Sequence, residues 1–115
     1  MSRTPSEGAG ARRRHHAAVF AALGDETRLA LITTLSAGEP RSIAELTGGT
    51  RMTRQAVTKH LRVLEHAGIV HSARAGRESR FRFDPAPINE MSEYLDRVSE
   101  QWDQVLARLK SLVES

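Results

Sequence analysis

Gly68 separates two hydrophobic periods that cannot belong to one element. Before it, residues 54–66 placed on an ideal helix split into two faces. Arg54, Gln55, Thr58, Lys59, Arg62, Glu65 and His66 fill one arc of roughly 140° at about 100° per residue. Ala56, Val57, His60, Leu61, Val63 and Leu64 fill the opposite arc. After Gly68 the pattern alternates. Ile69–Arg74 and Glu78–Asp84 read as two short strands, joined by a turn at Ala75-Gly76-Arg77. In the second strand Ser79, Phe81 and Phe83 share one face, and Arg80 and Arg82 the other. An amphipathic helix leading straight into a hairpin has two apolar faces to bury, so further elements must cover them.

Those elements can be placed from caps and breakers. A first helix is expected from about Arg12 to Leu23, with Val19, Phe20 and Leu23 inward and Gly24 ending it. Asp25 caps a second helix carrying Leu29, Ile32 and Leu35, closed by Gly38 and Pro40. Ser42 and Glu45 form a capping box for a short third helix, with Ile43, Ala44 and Leu46 inward, that Gly48-Gly49 should stop early. Thr53 caps the helix of residues 54–66, and Gly68 suits its left-handed stop. A last helix runs from roughly Pro87 to Val113.

The third and fourth helices form a helix-turn-helix and the hairpin a wing. The fold class is mainly α (α+β), a winged helix-turn-helix of four helices, a two-stranded hairpin and a long C-terminal helix. Residues 1–11 are expected as a disordered basic tail, 12–84 as the DNA-binding domain and 85–115 as the dimerisation helix.

Charge is concentrated where that motif lies. The chain of 115 residues has net charge +3, but residues 51–83 alone carry eight Arg or Lys against two Glu. Residues 84–115 carry three against seven acids. A concentrated basic stripe is what a polyanion requires. With Arg54, Gln55, Thr58 and Lys59 near the start of the fourth helix, the polar face can address duplex DNA. Arg bonds guanine O6 and N7 together, and Gln bonds adenine N6 and N7. Thr53 and Arg62 flank this set, and Arg74, Arg77 and Arg80 cluster around the hairpin turn, where a wing meets phosphates or the minor groove. Taken alone, the helix face has an equal alternative as a solvated amphipathic surface, and the hairpin as an ordinary charged one. Their combination in this order favours DNA.

Other classes have less support. There is no cysteine, which excludes disulfides, thiolate ligands and a cysteine nucleophile. No nucleophile–base motif, phosphate loop or H-E-x-x-H pattern occurs, so an enzyme is not expected. The apolar runs are too short to span a membrane, and MSRTPSEGAGARRRHH has no secretory h-region. A cytoplasmic location is expected. His15-His16 make a poor preformed metal site, His60 is expected to pack and hydrogen-bond, and His66 and His71 to lie at the surface.

The stretch MTRQAVTKHLRVLEHAGIV (residues 52–70), followed by GRESRFRF (76–83), resembles the ArsR family of bacterial winged-helix repressors. ALGDETRLALITTL (22–35) resembles that family's second helix and its approach, and the likeness covers about residues 13–113. It implies a dimer through the first and last helices, and repression. The family's metal sensors carry thiolates on the third helix, where this chain has AELT (44–47). Others place His ligands on the last helix, where Glu90, Glu93, Asp96, Glu100 and Asp103 stand without His. The resemblance is therefore to a branch without the metal-sensing ligands. No metal and no cofactor are expected, and zinc, arsenite, cadmium and copper should not release DNA. TGGTR (47–51) departs from the family in its Gly pair, and a shorter third helix with a looser turn is expected there.

Dimerisation also follows from the last helix itself. Ile88, Met91, Leu95, Val98, Trp102, Val105, Leu109 and Leu112 recur at spacings of three and four, an a/d register over about four heptads. The alternative is a helix packed within one chain. Two further functional alternatives stand: a small-molecule- or metal-responsive sensor with an inducer site at the dimer interface, and a protein-interaction module that does not touch DNA. The expected partners are double-stranded DNA and a second copy of the chain, with no membrane. The inducer and the operator are not legible.

Overall fold

A computed structural model describes residues 5–114, with side chains from Gly8. Five helices and three strands follow one another: α1 (Pro5–Leu23), α2 (Glu26–Ser36), β1 (Arg41–Ser42), α3 (Ile43–Gly48), α4 (Arg54–His66), β2 (Val70–Ala75), β3 (Glu78–Phe83) and α5 (Ala86–Glu114). This is the expected winged helix-turn-helix with one added strand. The caps are in place. Asp25 accepts from the Arg28 amide at 2.9 Å, Ser42 and Glu45 form the reciprocal box, and Thr53 accepts from the Ala56 amide at 3.1 Å. Gly68 stops α4 at φ 78°, where a Cβ would be strained.

The sheet has the order β1-β3-β2, all antiparallel. β1 pairs Arg41 with Phe81 and Ser42 with Arg80. Its two residues are too few to show an alternating pattern. The Asp84 amide donates to the Ile69 carbonyl at 2.8 Å and closes the base of the hairpin.

One core holds these parts together. Val57, Leu61 and Leu64 of α4 are fully buried, as are Val19, Ile69, Val70 and Phe81. Phe81, on the central strand, lies in one core cluster with Leu31 and Leu35 of α2. Three residues expected inward face out: Phe20 is 44% exposed, Leu29 48%, and Ala44 is exposed as well. Ala22 and Leu31 take the inward places. A broad apolar stripe leaves the choice of inward face to packing partners.

α1 begins at Pro5 rather than Arg12, so residues 5–11, expected within a disordered tail, are helical. Proline suits a first helical turn. Gly8 and Ala11 line an open cleft that Glu90 and Glu93 of α5 also line. Residues 1–4 of the expected tail lie outside the described residues.

α5 has two regimes. Its first turns join the core, with Met91 buried and Ile88 and Tyr94 packed against it. Beyond Val98 every described residue is exposed, and Trp102 is 61% exposed. Two of the residues expected in the seam, Ile88 and Met91, are thus engaged within the chain.

Phe81→Ala should lower the unfolding free energy by about 3–5 kcal/mol, the usual cost of deleting a buried aromatic. A denaturant titration read at unchanged slope measures it, and a loss under about 1 kcal/mol would place the core elsewhere.

Candidate nucleic-acid interface

The outward face of α4 follows from its inward one. With Val57, Leu61 and Leu64 buried, Arg54, Gln55, Lys59 and Arg62 are exposed and Thr58 is half-buried. Thr53 sits outside the first turn with its side-chain oxygen engaged by the Ala56 amide. The turn from α3 to α4 is tied down, contrary to the looser turn expected from Gly48-Gly49. The Thr50 hydroxyl donates to the Thr47 carbonyl at 3.2 Å and accepts from the Met52 amide at 3.1 Å. α3 itself is short, as the glycine pair predicts.

A guanidinium ties this helix to the two before it. Arg28 donates from Nε to the Ala22 carbonyl at 2.7 Å and from Nη2 to the Ala21 carbonyl at 3.0 Å, at the end of α1. Its Nη1 lies 3.3 Å from His60 Nδ1. The same Nδ1 lies 3.7 Å from Asp25 Oδ2, the carboxylate that caps α2. His60 is the packed, hydrogen-bonded histidine expected. Sequence reasoning missed Arg28, because its partners are backbone carbonyls that no side-chain pattern reveals. Asp25 beside it is held below the ordinary carboxylate range, first by the Arg28 amide.

The wing is fixed to α4 by one carboxylate. Glu65 accepts from the Ser72 hydroxyl of β2 and from Arg62 Nη1 at 2.8 Å. The Ser72 bond first, and Arg62 second, hold Glu65 below its ordinary value. Arg62 is therefore paired along its own helix rather than standing free. At the hairpin base Asp84 accepts from the Ala86 amide at 3.0 Å and lies 2.8 Å from His71 Nε2. These two contacts, in that order, lower its pKa.

Strand register sorts the wing arginines. Ser72 pairs with Phe81 and Arg74 with Ser79, and paired residues share a face. That is the face turned to α4. Arg54, Thr58, Arg74, Arg77 and Ser79, together with Glu78 and the start of α3, line an open cleft of about 350 Å³ between α4 and the wing. Arg80 is on the other face, beside Glu39, Pro40, Arg41 and Glu45. The structure thus gathers Arg54, Thr58, Arg74 and Arg77, sets Gln55 and Lys59 on the adjoining exposed face, and separates Arg80 from them. Among the described residues no group of three or more His, Asp or Glu is arranged to hold a metal ion. No described helix is long and apolar enough to cross a membrane.

The three lowered carboxylates set a pH dependence. Each binds its proton less readily folded than unfolded, so their stabilisation is present above the ordinary values of 3.8 and 4.5 and is lost as pH falls below them. Denaturant midpoints should drop on acidification through that window, and these groups should give no pH dependence between pH 6 and 8. Glu65→Gln should flatten the acid limb. An unchanged limb would mean that the Glu65 contacts are absent in solution.

A family model described as a helix-turn-helix domain matches residues 23–73. The chain is 39% identical over 80 residues to YuzN, an uncharacterized HTH-type transcriptional regulator of Bacillus subtilis, covering 64% of this chain and 87% of that one. Among solved structures, an ArsR-like transcriptional regulator from Rhodococcus sp. RHA1 superposes with TM-score 0.84 at 39% identity, over 91% of this chain and 95% of that one. The domain Mb0332 from Mycobacterium bovis shares the fold with TM-score 0.63 at 21% identity, over 91% and 92%. The fold is shared with both solved structures over 91% of this chain, and the protein belongs to the ArsR family of winged helix-turn-helix DNA-binding transcriptional regulators.

Proposed function

We propose that the chain is a homodimeric repressor that reads an imperfect palindrome through α4, acts in the cytoplasm and catalyses no reaction. The observation that carries this is the juxtaposition on one surface of α4's polar face and the basic side of the wing. In this reading Gln55 and Lys59, with Thr58 beside them, enter the major groove. The wing meets the backbone.

The dimer rests on α5. Leu95, Trp102, Val105 and Leu109 remain exposed along one helix of 29 residues. Such a stripe is stable in water when a second copy covers it. The Mycobacterium bovis protein of like fold is described as a homodimeric winged helix-turn-helix DNA-binding domain. A two-fold axis between the α5 helices presents two copies of α4 to half-sites about 34 Å apart.

Selection of bound fragments from the source genome identifies the operator. On that duplex, affinity should fall by roughly 10³–10⁵ between 50 and 200 mM salt, as six to ten phosphate contacts require. Gln55→Ala should cost about 1–3 kcal/mol and relax preference at one base pair per half-site. Flat salt dependence together with unaltered preference would remove α4 as the reader.

Trp102→Glu tests the seam. A carboxylate there would be desolvated against its symmetry mate, so sedimentation should show monomer. Operator affinity should drop by orders of magnitude although no DNA-facing residue has changed, because the second half-site contact is lost. A variant that stays dimeric, or a monomer with full affinity, refutes this.

A further inference from the structure

We propose that the cleft between the first turn of α4 and the wing seats one backbone phosphate of the duplex, and that Arg54 is a phosphate ligand there and not a reader of bases. The proposal rests on the operator-binding reading above and assigns a role within it.

Three arginines, Arg54, Arg74 and Arg77, line this one cleft. Among the described residues none of the three makes an ion pair or a side-chain hydrogen bond. The single carboxylate at the cleft is Glu78, and its Oε2 lies 3.8 Å from Arg80 Nη2. The cleft therefore carries a net positive charge that the protein itself does not neutralise. Like charges brought together without a counterion repel, and an anion relieves them. Ser79 adds a hydroxyl at the wall. A planar guanidinium grips phosphate oxygens through two parallel N–H donors, and several around one phosphodiester make a clamp.

The shape favours this role for Arg54 over base reading. Base edges lie on the floor of a major groove about 8.5 Å deep, so a side chain reading them must stand away from the protein surface. Arg54, although exposed, stands in an open recess with wing residues around it, which suits a projecting phosphate. Gln55 and Lys59 stand outside the recess on the adjoining exposed face of α4, and Arg62 is held by Glu65. Base discrimination then falls to Gln55 and Lys59.

The test uses the full-length protein and the selected operator, with an uncharged methylphosphonate replacing one phosphate at a time. Wild-type protein should lose about tenfold in affinity at one position per half-site. Arg54→Gln should bind the unmodified duplex more weakly, by about tenfold per half-site and alike for operator and unrelated sequence. Its plot of log K against log salt should be shallower by about one unit per subunit. It should also no longer respond to the methylphosphonate at that position. Arg74→Gln should silence the same position, and the double variant should lose less than the product of the single losses, because both side chains serve one phosphate. Arg54→Lys, which keeps the charge, should recover part of the affinity. Melting curves of each variant confirm that the fold is intact. If Arg54→Gln relaxes preference at one base pair while its methylphosphonate profile stays wild-type, Arg54 reads a base and the proposal is wrong. Wild-type protein that binds no duplex would instead defeat the operator-binding reading itself.

Discussion

Everything outward on α4 is set by what is inward. Val57, Leu61 and Leu64 are fully buried against the domain, and helical geometry then leaves no freedom in where Gln55 and Lys59 point. Apolar burial is non-directional, so it fixes the rotation of the helix better than its tilt. The tilt is fixed by directional bonds at its edges: Arg28 against His60 on one side and Glu65 against Ser72 on the other. The first links α4 to the end of α1, the second to the wing. A surface built this way is positioned from beneath and from its edges, mainly by residues other than those proposed to touch DNA.

The parts legible in the sequence are those whose signal is local. The helix at 54–66, the stop at Gly68, the Ser42–Glu45 box and the alternating strands all declare themselves within a dozen residues, and the structure has each of them. What was illegible depends on partners far away in the chain. β1 is two residues whose status as a strand comes from Phe81 and Arg80. Phe20 and Leu29 match the helical period as well as Val19 and Leu31 do, and only the position of neighbouring elements decides which face is buried. The helical state of residues 5–11 goes against their glycine content and accords with packing beside α5. In each case tertiary context overrides a weak local preference.

The candidate interface divides along the same line. That Arg54, Gln55, Thr58 and Lys59 share an exposed arc follows from helical geometry alone. That Arg80 parts company with Arg74 and Arg77 follows from strand register, where alternate residues face opposite sides of the sheet. The sequence grouped them because they are neighbours around a turn. Arg62 is another instance: its place on the arc is correct, but an acid one turn away holds it. A list of basic residues overstates the charge available to a ligand until each has been matched with its acid.

The charge map and the shape of α5 fit together on this view. The basic segment ends at Phe83, and the acidic segment coincides with the helix that leaves the domain. Acids along α5 beyond the core keep a long exposed helix soluble on its polar side, while its apolar stripe stays clear of charge. The same acids would repel a phosphate backbone, which on the proposed function draws a duplex to the α4–wing surface and turns it away from α5. Because Glu65 joins α4 to the wing within one chain, the spacing between the base-facing residues and the basic cleft is a property of the single domain. In the proposed dimer the spacing between two such domains is a separate quantity, set by how the α5 helices meet. On the proposed function, sequence reading and operator geometry are thus governed by different parts of a chain of 115 residues.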